Sequence, residues 1–282
     1  MREAHTHIDR LAVFDLDRTL LDETSTISAE CEERIRAAAV PGLACTVASG
    51  RDMERIAPFL DQLGWMSIPV VAEQGAVVVM PGSGTVLMEK LISRDVVVGV
   101  IDAVRQAFLP VNVILYGRSE PQFFRSAGAP SLLQGWASER YAGKLRDIPE
   151  SRDIVSATVR KITLKCLPED TDAVRNMVAH HLGEQATVVK ADVDFVNVMD
   201  PGVDKGSALA WLLEYLGVDP ARVMTVGDCE ADQSMFRETG ISVAVANADE
   251  ETRSRARFVV PSNAQQGAAV ALERFVAGEY GV

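Results

Sequence analysis

Residues 11–19, LAVFDLDRT, decide the fold. Four apolar residues run without a break into two carboxylates, Asp15 and Asp17, at i and i+2. A short apolar run without alternation predicts a strand buried on both faces, as in a parallel sheet covered by helices. Working outward, residues 44–49 (ACTVAS) and 69–72 (PVVA) repeat the pattern. Helix-like stretches separate these runs, over 29–39 and 53–63. The first has Ser28 as N-cap and acids in its first turn. Strand, helix, strand, helix, strand predicts a doubly wound, Rossmann-like parallel sheet.

The rhythm changes from about Thr85. Residues 96–108 and 170–182 read as helices, and 111–116, 159–166 and 187–190 as strands. This predicts an inserted α+β domain over 91–192, within an α/β core made of 1–90 and 193–282. In the second part of the core, 205–216 reads as a helix and 222–226 (RVMTV) as a strand ending in Gly227-Asp228. A short helix over 233–239, strands over 241–246 and 258–260, and a helix over 266–277 close the chain.

The chain has 282 residues, enough for a full core without disulfide staples. Lys and Arg number 28 against 40 Asp and Glu, so the net charge is 28 − 40 = −12. That balance argues against nucleic-acid binding, which needs clustered cations. The cysteines are Cys31, Cys45, Cys166 and Cys229, with no C-x-x-C pair. They are not a disulfide framework, and a reducing cytoplasm is expected. No apolar run approaches the ~18 residues of a membrane span.

Four clusters carry chemistry. Asp15 and Asp17 follow a strand, where ligands of open α/β sheets bind; acids capping an ordinary turn are the alternative. Ser49-Gly50-Arg51 offers a hydroxyl, a free backbone N–H and a guanidinium at a helix start, which suits an anion or a plain N-cap. Lys205 lies in the first turn of a helix, where the dipole favours an acid; that conflict points to function, or to a solvated lysine. Asp228 and Asp232, at i and i+4 after a third strand, suit a hard cation with oxygen ligands, or an acidic loop.

Together, in the order D-x-D-x-T, S-G-R, K and G-D-x-x-x-D, these clusters resemble the haloacid-dehalogenase-like (HAD) superfamily of hydrolases, and within it the Cof-type phosphatases. Residues 72–76 (AEQGA), 202–206 (GVDKG), 245–248 (VANA) and Ser262, Asn263 and Gly267 extend the resemblance over nearly the whole chain. Arg18 stands where the family usually has Gly, Ser49 where Thr is common, and Gln74 where Asn is usual. Cys229 and Ala231 replace frequent Asn residues beside the acids.

The resemblance implies an Mg2+-dependent phosphatase of small phosphorylated metabolites, with sugar phosphates favoured. Asp15 would attack phosphorus and form an aspartyl-phosphate. Asp17 would act as general acid, then base. Asp15, the carbonyl of Asp17, Asp228 and Asp232 would hold Mg2+. Ser49, Gly50, Lys205 and, with weaker claims, Arg51 and Asn247 would hold the phosphate. The insert would be a cap closing over the strand edges. Its residues Tyr116, Arg118, Arg125 and Lys161 are candidates equally for substrate contact or for structure. A phosphomutase of the phosphomannomutase type, or a catalytically silent regulator on the same fold, is the alternative. His5-Thr6-His7 with Asp9 resembles the H-x-H metal motif of amidohydrolase barrels, but it precedes its strand instead of following one. His180-His181 falls late in an insert helix, where cationic or polar surface residues are ordinary.

Overall fold

The apolar run before Asp15 is a strand at the middle of a parallel sheet. The computed structural model describes residues 8–107, 109–118, 121–126, 129–132, 143–150 and 158–281. His5-Thr6-His7 lies outside them. The strands, in chain order, are β1 (Arg10–Phe14), β2 (Leu43–Val47), β3 (Val70–Ala72), β4 (Val77–Met80), β5 (Thr85–Glu89), β6 (Asn112–Gly117), β7 (Gln122–Arg125), β8 (Arg146–Asp147), β9 (Val159–Lys165), β10 (Thr187–Asp192), β11 (Phe195–Met199), β12 (Val223–Gly227), β13 (Ile241–Val245) and β14 (Phe258–Val260). The helices are α1 (Ala29–Ala37), α2 (Met53–Leu63), α3 (Arg94–Gln106), α4 (Thr171–Leu182), α5 (Lys205–Leu216), α6 (Gln233–Glu238), α7 (Glu250–Arg255) and α8 (Gly267–Val276).

Two compact units divide the chain: Met1–Met88 with Asp204–Val282, and Glu89–Val203. In the first, the sheet order is β14-β13-β12-β1-β2, all parallel, and a parallel bridge from Ala48 to Val71 adds β3 beyond β2. The strand order therefore reverses between β1 and β12, the position at which doubly wound sheets bind ligands. Side chains alternate across β1. Ala12 and Phe14 pack with Ile35 of α1, Ile56 and Leu60 of α2 and Leu272 of α8. Leu11 and Val13 pack with Leu209, Leu212 and Leu213 of α5 on the opposite face. Burying such a side chain contributes about 1.5–3 kcal/mol, which is why both faces of β1 had to be apolar. The Ser28 hydroxyl accepts from Cys31 N at 3.1 Å, so the expected cap of α1 is present.

The second unit is a six-stranded sheet, β10-β11-β9-β6-β7-β8, antiparallel except between β7 and β8. Helices α3 and α4 cover one face: Val97, Val100, Val104, Val174 and Val178 pack on Val113, Leu115, Ile162, Leu164, Val196 and Val198. Strand β11 pairs with both β9 and β10, so the first unit resumes at Asp204 and not at 193. The reason lies in pairing: the turn after Asp192 folds β11 straight back on β10, and sequence rhythm does not reveal which sheet a strand joins.

The polar residues singled out in the insert have partners within this unit. The Arg118 Nε donates to Glu89 Oε2 at 2.9 Å, and the Arg125 Nε to Asp147 Oδ1 at 2.7 Å. Lys161 lies over the Tyr116 ring, 4.4 Å from its centroid. His180 and His181 fall in the last turn of α4, as expected. Among the described residues no helix is long and apolar enough to cross a membrane.

Candidate active site

Where β1 ends, the Asp15 amide donates to the Val226 carbonyl of β12 at 2.9 Å, which fixes Asp15 beside the loop of Asp228. Asp15 and Asp228 are each 4% exposed and Asp232 is fully buried. Lys205 opens α5 and is also buried; its Nζ donates to Asp15 Oδ1 and to Asp232 Oδ1, both at 2.6 Å. The helix start is held by its cap: Asp204 accepts from Ser207 N at 2.7 Å, and the Ser207 hydroxyl accepts from Asp204 N at 3.0 Å. The Gly206 amide donates to the Ser234 hydroxyl at 3.0 Å. A Cβ at position 206 would come within 2.5 Å of the Ser234 carbonyl, so only glycine lets the two helix starts approach this closely.

Asp232 is the hub of the third loop. Its second oxygen, Oδ2, accepts from the amides of Asp228 at 2.9 Å and Cys229 at 3.2 Å. Gly227 makes room, since a Cβ there would lie 2.4 Å from the Cβ of Asp232. Both oxygens of Asp232 thus have donors inside the protein, unlike those of an acid free to ligate a cation. The Cys229 Sγ also donates to Oδ2, at 3.5 Å. Burial, and then the charges of Asp232 and Asp228, push the Cys229 thiol well up, so it stays protonated.

Burial and the neighbouring Asp232 raise Asp15 to about 7, against the pull of Lys205. Burial, Asp232 and Asp15 raise Asp228 to about 8, with Arg18 and Lys205 opposing. Burial alone would lower Lys205, but Asp15 and Asp232 hold it well above the usual lysine value, so it remains an ammonium. Buried carboxylates in this cluster outnumber the buried cation, and such crowding is relieved by added positive charge. Oxygen donors on Asp15 and Asp228, beside a protonated thiol, suit a hard divalent cation such as Mg2+. The residues therefore fit the metal that the sequence implies. Asp228, Cys229 and Asp232 have potential ligand atoms within 4.8 Å of one another.

Ser49 is buried where β2 ends, and its Oγ accepts from the Arg51 amide at 3.2 Å. Gly50 packs against Gln74, whose Nε2 would lie 2.7 Å from a Cβ added at position 50. The Arg51 guanidinium grips both oxygens of half-exposed Asp17, with Nε to Oδ2 at 2.9 Å. Burial tends to raise Asp17, but the hydrogen bonds and charge of Arg51 outweigh it and hold the carboxyl below its ordinary value.

Asn247 bonds to two neighbouring segments. Its Nδ2 donates to the Arg18 carbonyl at 2.8 Å and its Oδ1 accepts from Asn263 N at 2.9 Å. Its amide group therefore clamps two loops together. Of three further contributors, Ser234 was not singled out by the sequence reading, and Thr19 and Asn263 entered it only within motifs. Thr19 donates to Asp228 Oδ1 at 3.5 Å, Ser234 anchors α5, and Asn263 ties Asn247 to Leu21 through a 3.0 Å bond to the Leu21 carbonyl. Thr19 had a signal in the D-x-D-x-T spacing and Asn263 in the family resemblance; Ser234 acts across folded distance and had none.

Residues 12–272 match the family of haloacid dehalogenase-like hydrolases. The 5-amino-6-(5-phospho-D-ribitylamino)uracil phosphatase of Bacillus subtilis is 25% identical, over 94% of this chain and 98% of its own. The HMP-PP phosphatase of Cronobacter sakazakii is 24% identical over 85% of each chain. A haloacid dehalogenase-like hydrolase of Bacteroides thetaiotaomicron shares the fold, with a TM-score of 0.74 at 22% identity over 94% of this chain and 99% of its own. The chain thus belongs to the haloacid dehalogenase-like hydrolases, in their Cof-type branch with an inserted α+β cap domain, and is a phosphoric monoester hydrolase.

Proposed function

We propose that the protein is an Mg2+-dependent phosphatase of small phosphorylated metabolites, with sugar phosphates its first substrate class. The observation that carries this reading is Lys205 shared between Asp15 and Asp232 at 2.6 Å each, beside Asp228 at the reversal of the sheet. A carboxylate held against an ammonium where strands of an open sheet end is poised to attack an anionic substrate. In this reading Asp15 attacks phosphorus and becomes an aspartyl-phosphate. A divalent cation held by Asp15, Asp228 and the Asp17 carbonyl would screen the repulsion between the nucleophile and the phosphate dianion.

Asp17 protonates the leaving oxygen, then takes a proton from the water that hydrolyses the intermediate. Arg51 is shared: a phosphate at Ser49, Gly50 and Arg51 draws the guanidinium off Asp17 and frees that carboxyl to carry a proton. Lys205 steadies Asp15 and the phosphoryl oxygens. Asp232 and Asn247 are positioning residues in this account, holding Lys205 and the loops. The proposed insert, expected over 91–192, is supported by the compact unit Glu89–Val203. The preference for sugar phosphates draws on the phosphoribityl compound named for the Bacillus subtilis relative. A reducing cytoplasm suits the four free cysteines.

A screen of phosphorylated metabolites with MgCl2, scored by kcat/KM for phosphate release, tests the reading. Release of free phosphate from a sugar phosphate, abolished by chelator and restored by Mg2+, is the expected result. An isomeric sugar phosphate without free phosphate would instead identify a mutase, and full activity after metal stripping would overturn the metal dependence.

A further inference from the structure

We propose that Arg18 is a built-in cation of the candidate metal site, placing its positive charge beside Asp228 when no divalent cation is bound and competing with that cation for the carboxylate. The inference rests on the reading of Asp15 and Asp228 as Mg2+ ligands. The acids of the site are unevenly paired. Asp15 and Asp232 share the Lys205 ammonium, while Asp228 faces Arg18, whose Nε lies 3.7 Å from Asp228 Oδ2.

The backbone of Arg18 has φ 59° and ψ 8°, a left-handed conformation that side-chain-bearing residues adopt rarely. The surroundings enforce it at two points. Asn247 Nδ2 donates to the Arg18 carbonyl at 2.8 Å, and Arg18 Nη2 donates to the Asn247 carbonyl at 3.4 Å. Asn247 is itself fixed through its Oδ1 to the Asn263 amide. The long side chain is therefore launched from a clamped loop toward a buried carboxylate, although glycine would suit that backbone better.

Burial separates Arg18 from Lys205. Lys205 is 2% exposed and locked between two carboxylates, a permanent part of the site. The Arg18 side chain is 47% exposed, so its ion pair with Asp228 faces solvent on one side. A divalent cation arriving at Asp228 meets a like charge at the carboxylate it needs. The metal-free protein is thereby stabilised, and metal affinity is lowered.

The test uses the chelator-treated full chain titrated with MgCl2 in a calorimeter. Arg18→Gln removes the charge and keeps much of the bulk; Arg18→Lys keeps the charge. Half-exposed ion pairs are weak, so the expected change is modest: Arg18→Gln binds Mg2+ about fivefold tighter, and Arg18→Lys stays within about twofold of the parent. The rise in Tm on adding Mg2+ should be larger for Arg18→Gln than for the parent. Should Arg18→Gln fold poorly, Arg18→Gly suits the left-handed backbone and must show the same tightening. Equal or weaker Mg2+ binding by the uncharged variants, with the parent binding normally, overturns the role of Arg18 and leaves the metal reading intact. A parent chain that binds no Mg2+ overturns both.

Discussion

Charge is buried in both units of this protein, but in two arrangements. In the first unit Asp15, Asp228, Asp232 and Lys205 gather in loops and at a helix start beside the ends of β1 and β12. In the second, Lys161 and Lys165 lie on a single strand, β9, each against an aromatic ring: Tyr116 at 4.4 Å and Phe195 at 4.3 Å from the ring centroids. The sheets explain the contrast. Parallel strands all end on one edge, so their loops converge there and like charges must share counter-ions. Antiparallel neighbours end on alternate edges, so polar residues line up in rungs across the sheet instead. Asn112, Lys165 and Phe195 form one such rung, and Ile114, Thr163 and Asn197 another, in which Thr163 donates to Asn197 at 2.7 Å. Convergence concentrates chemistry; rungs distribute polarity.

The sharpest way to break this comparison is to remove the proposed nucleophile from the convergent edge. Asp15→Asn should lose at least roughly 10⁴-fold in phosphate release from a sugar phosphate, because the proposed covalent intermediate needs that carboxylate. Retention of a tenth of the parent activity would mean the edge holds charge for structural reasons only.

Removing the shared cation comes next. Lys205→Met leaves Asp15 and Asp232 facing each other without their ammonium, and should cost about 3–5 kcal/mol in urea unfolding. The apolar face of the other sheet supplies a matched control without charge. Leu164→Ala, at a fully buried position, should cost about 2–5 kcal/mol and leave the site chemistry of the first unit in place, read as Mg2+ affinity.

Crowding at the edge also has a pH signature. Asp15 and Asp228 are raised from 3.8 to about 7 and about 8 in the metal-free fold. Above pH 5 the unfolded chain has released these protons and the folded chain retains them. Stability of chelated protein should therefore fall as pH rises from about 5 to about 8, and saturating Mg2+ should flatten the fall. Chemical denaturation across that range, with and without metal, would show a flat or rising chelated curve if the acids were not crowded.

The smallest effect is expected from the rung arrangement. Lys165→Met removes an ammonium paired with the partly exposed Asp194 but keeps a side chain able to cover Phe195. It should change stability by no more than about 1 kcal/mol. A loss of about 3 kcal/mol or more would make Lys165 as demanding as Lys205 and erase the distinction.

By itself the sequence determined the parallel core and most of the edge. Continuous apolar runs ending in Asp15, Ser49 and Asp228 require strands buried on both faces, and strands of that kind deliver their last residues to one edge. Local chemistry was equally legible in the Ser28 cap and in Lys205 set against its own helix dipole. Tertiary structure alone decided which acids were free. Asp232 spends its oxygens on Lys205 and two amides, Asp17 is gripped by Arg51, and Asn247 clamps Arg18 to Asn263. Each of these side chains is short and polar, and its partner is set by packing between segments distant in the chain. Strand β11 joined the second sheet for the same reason: pairing depends on which neighbour offers matching register and burial, and a single strand of alternating residues does not carry that information.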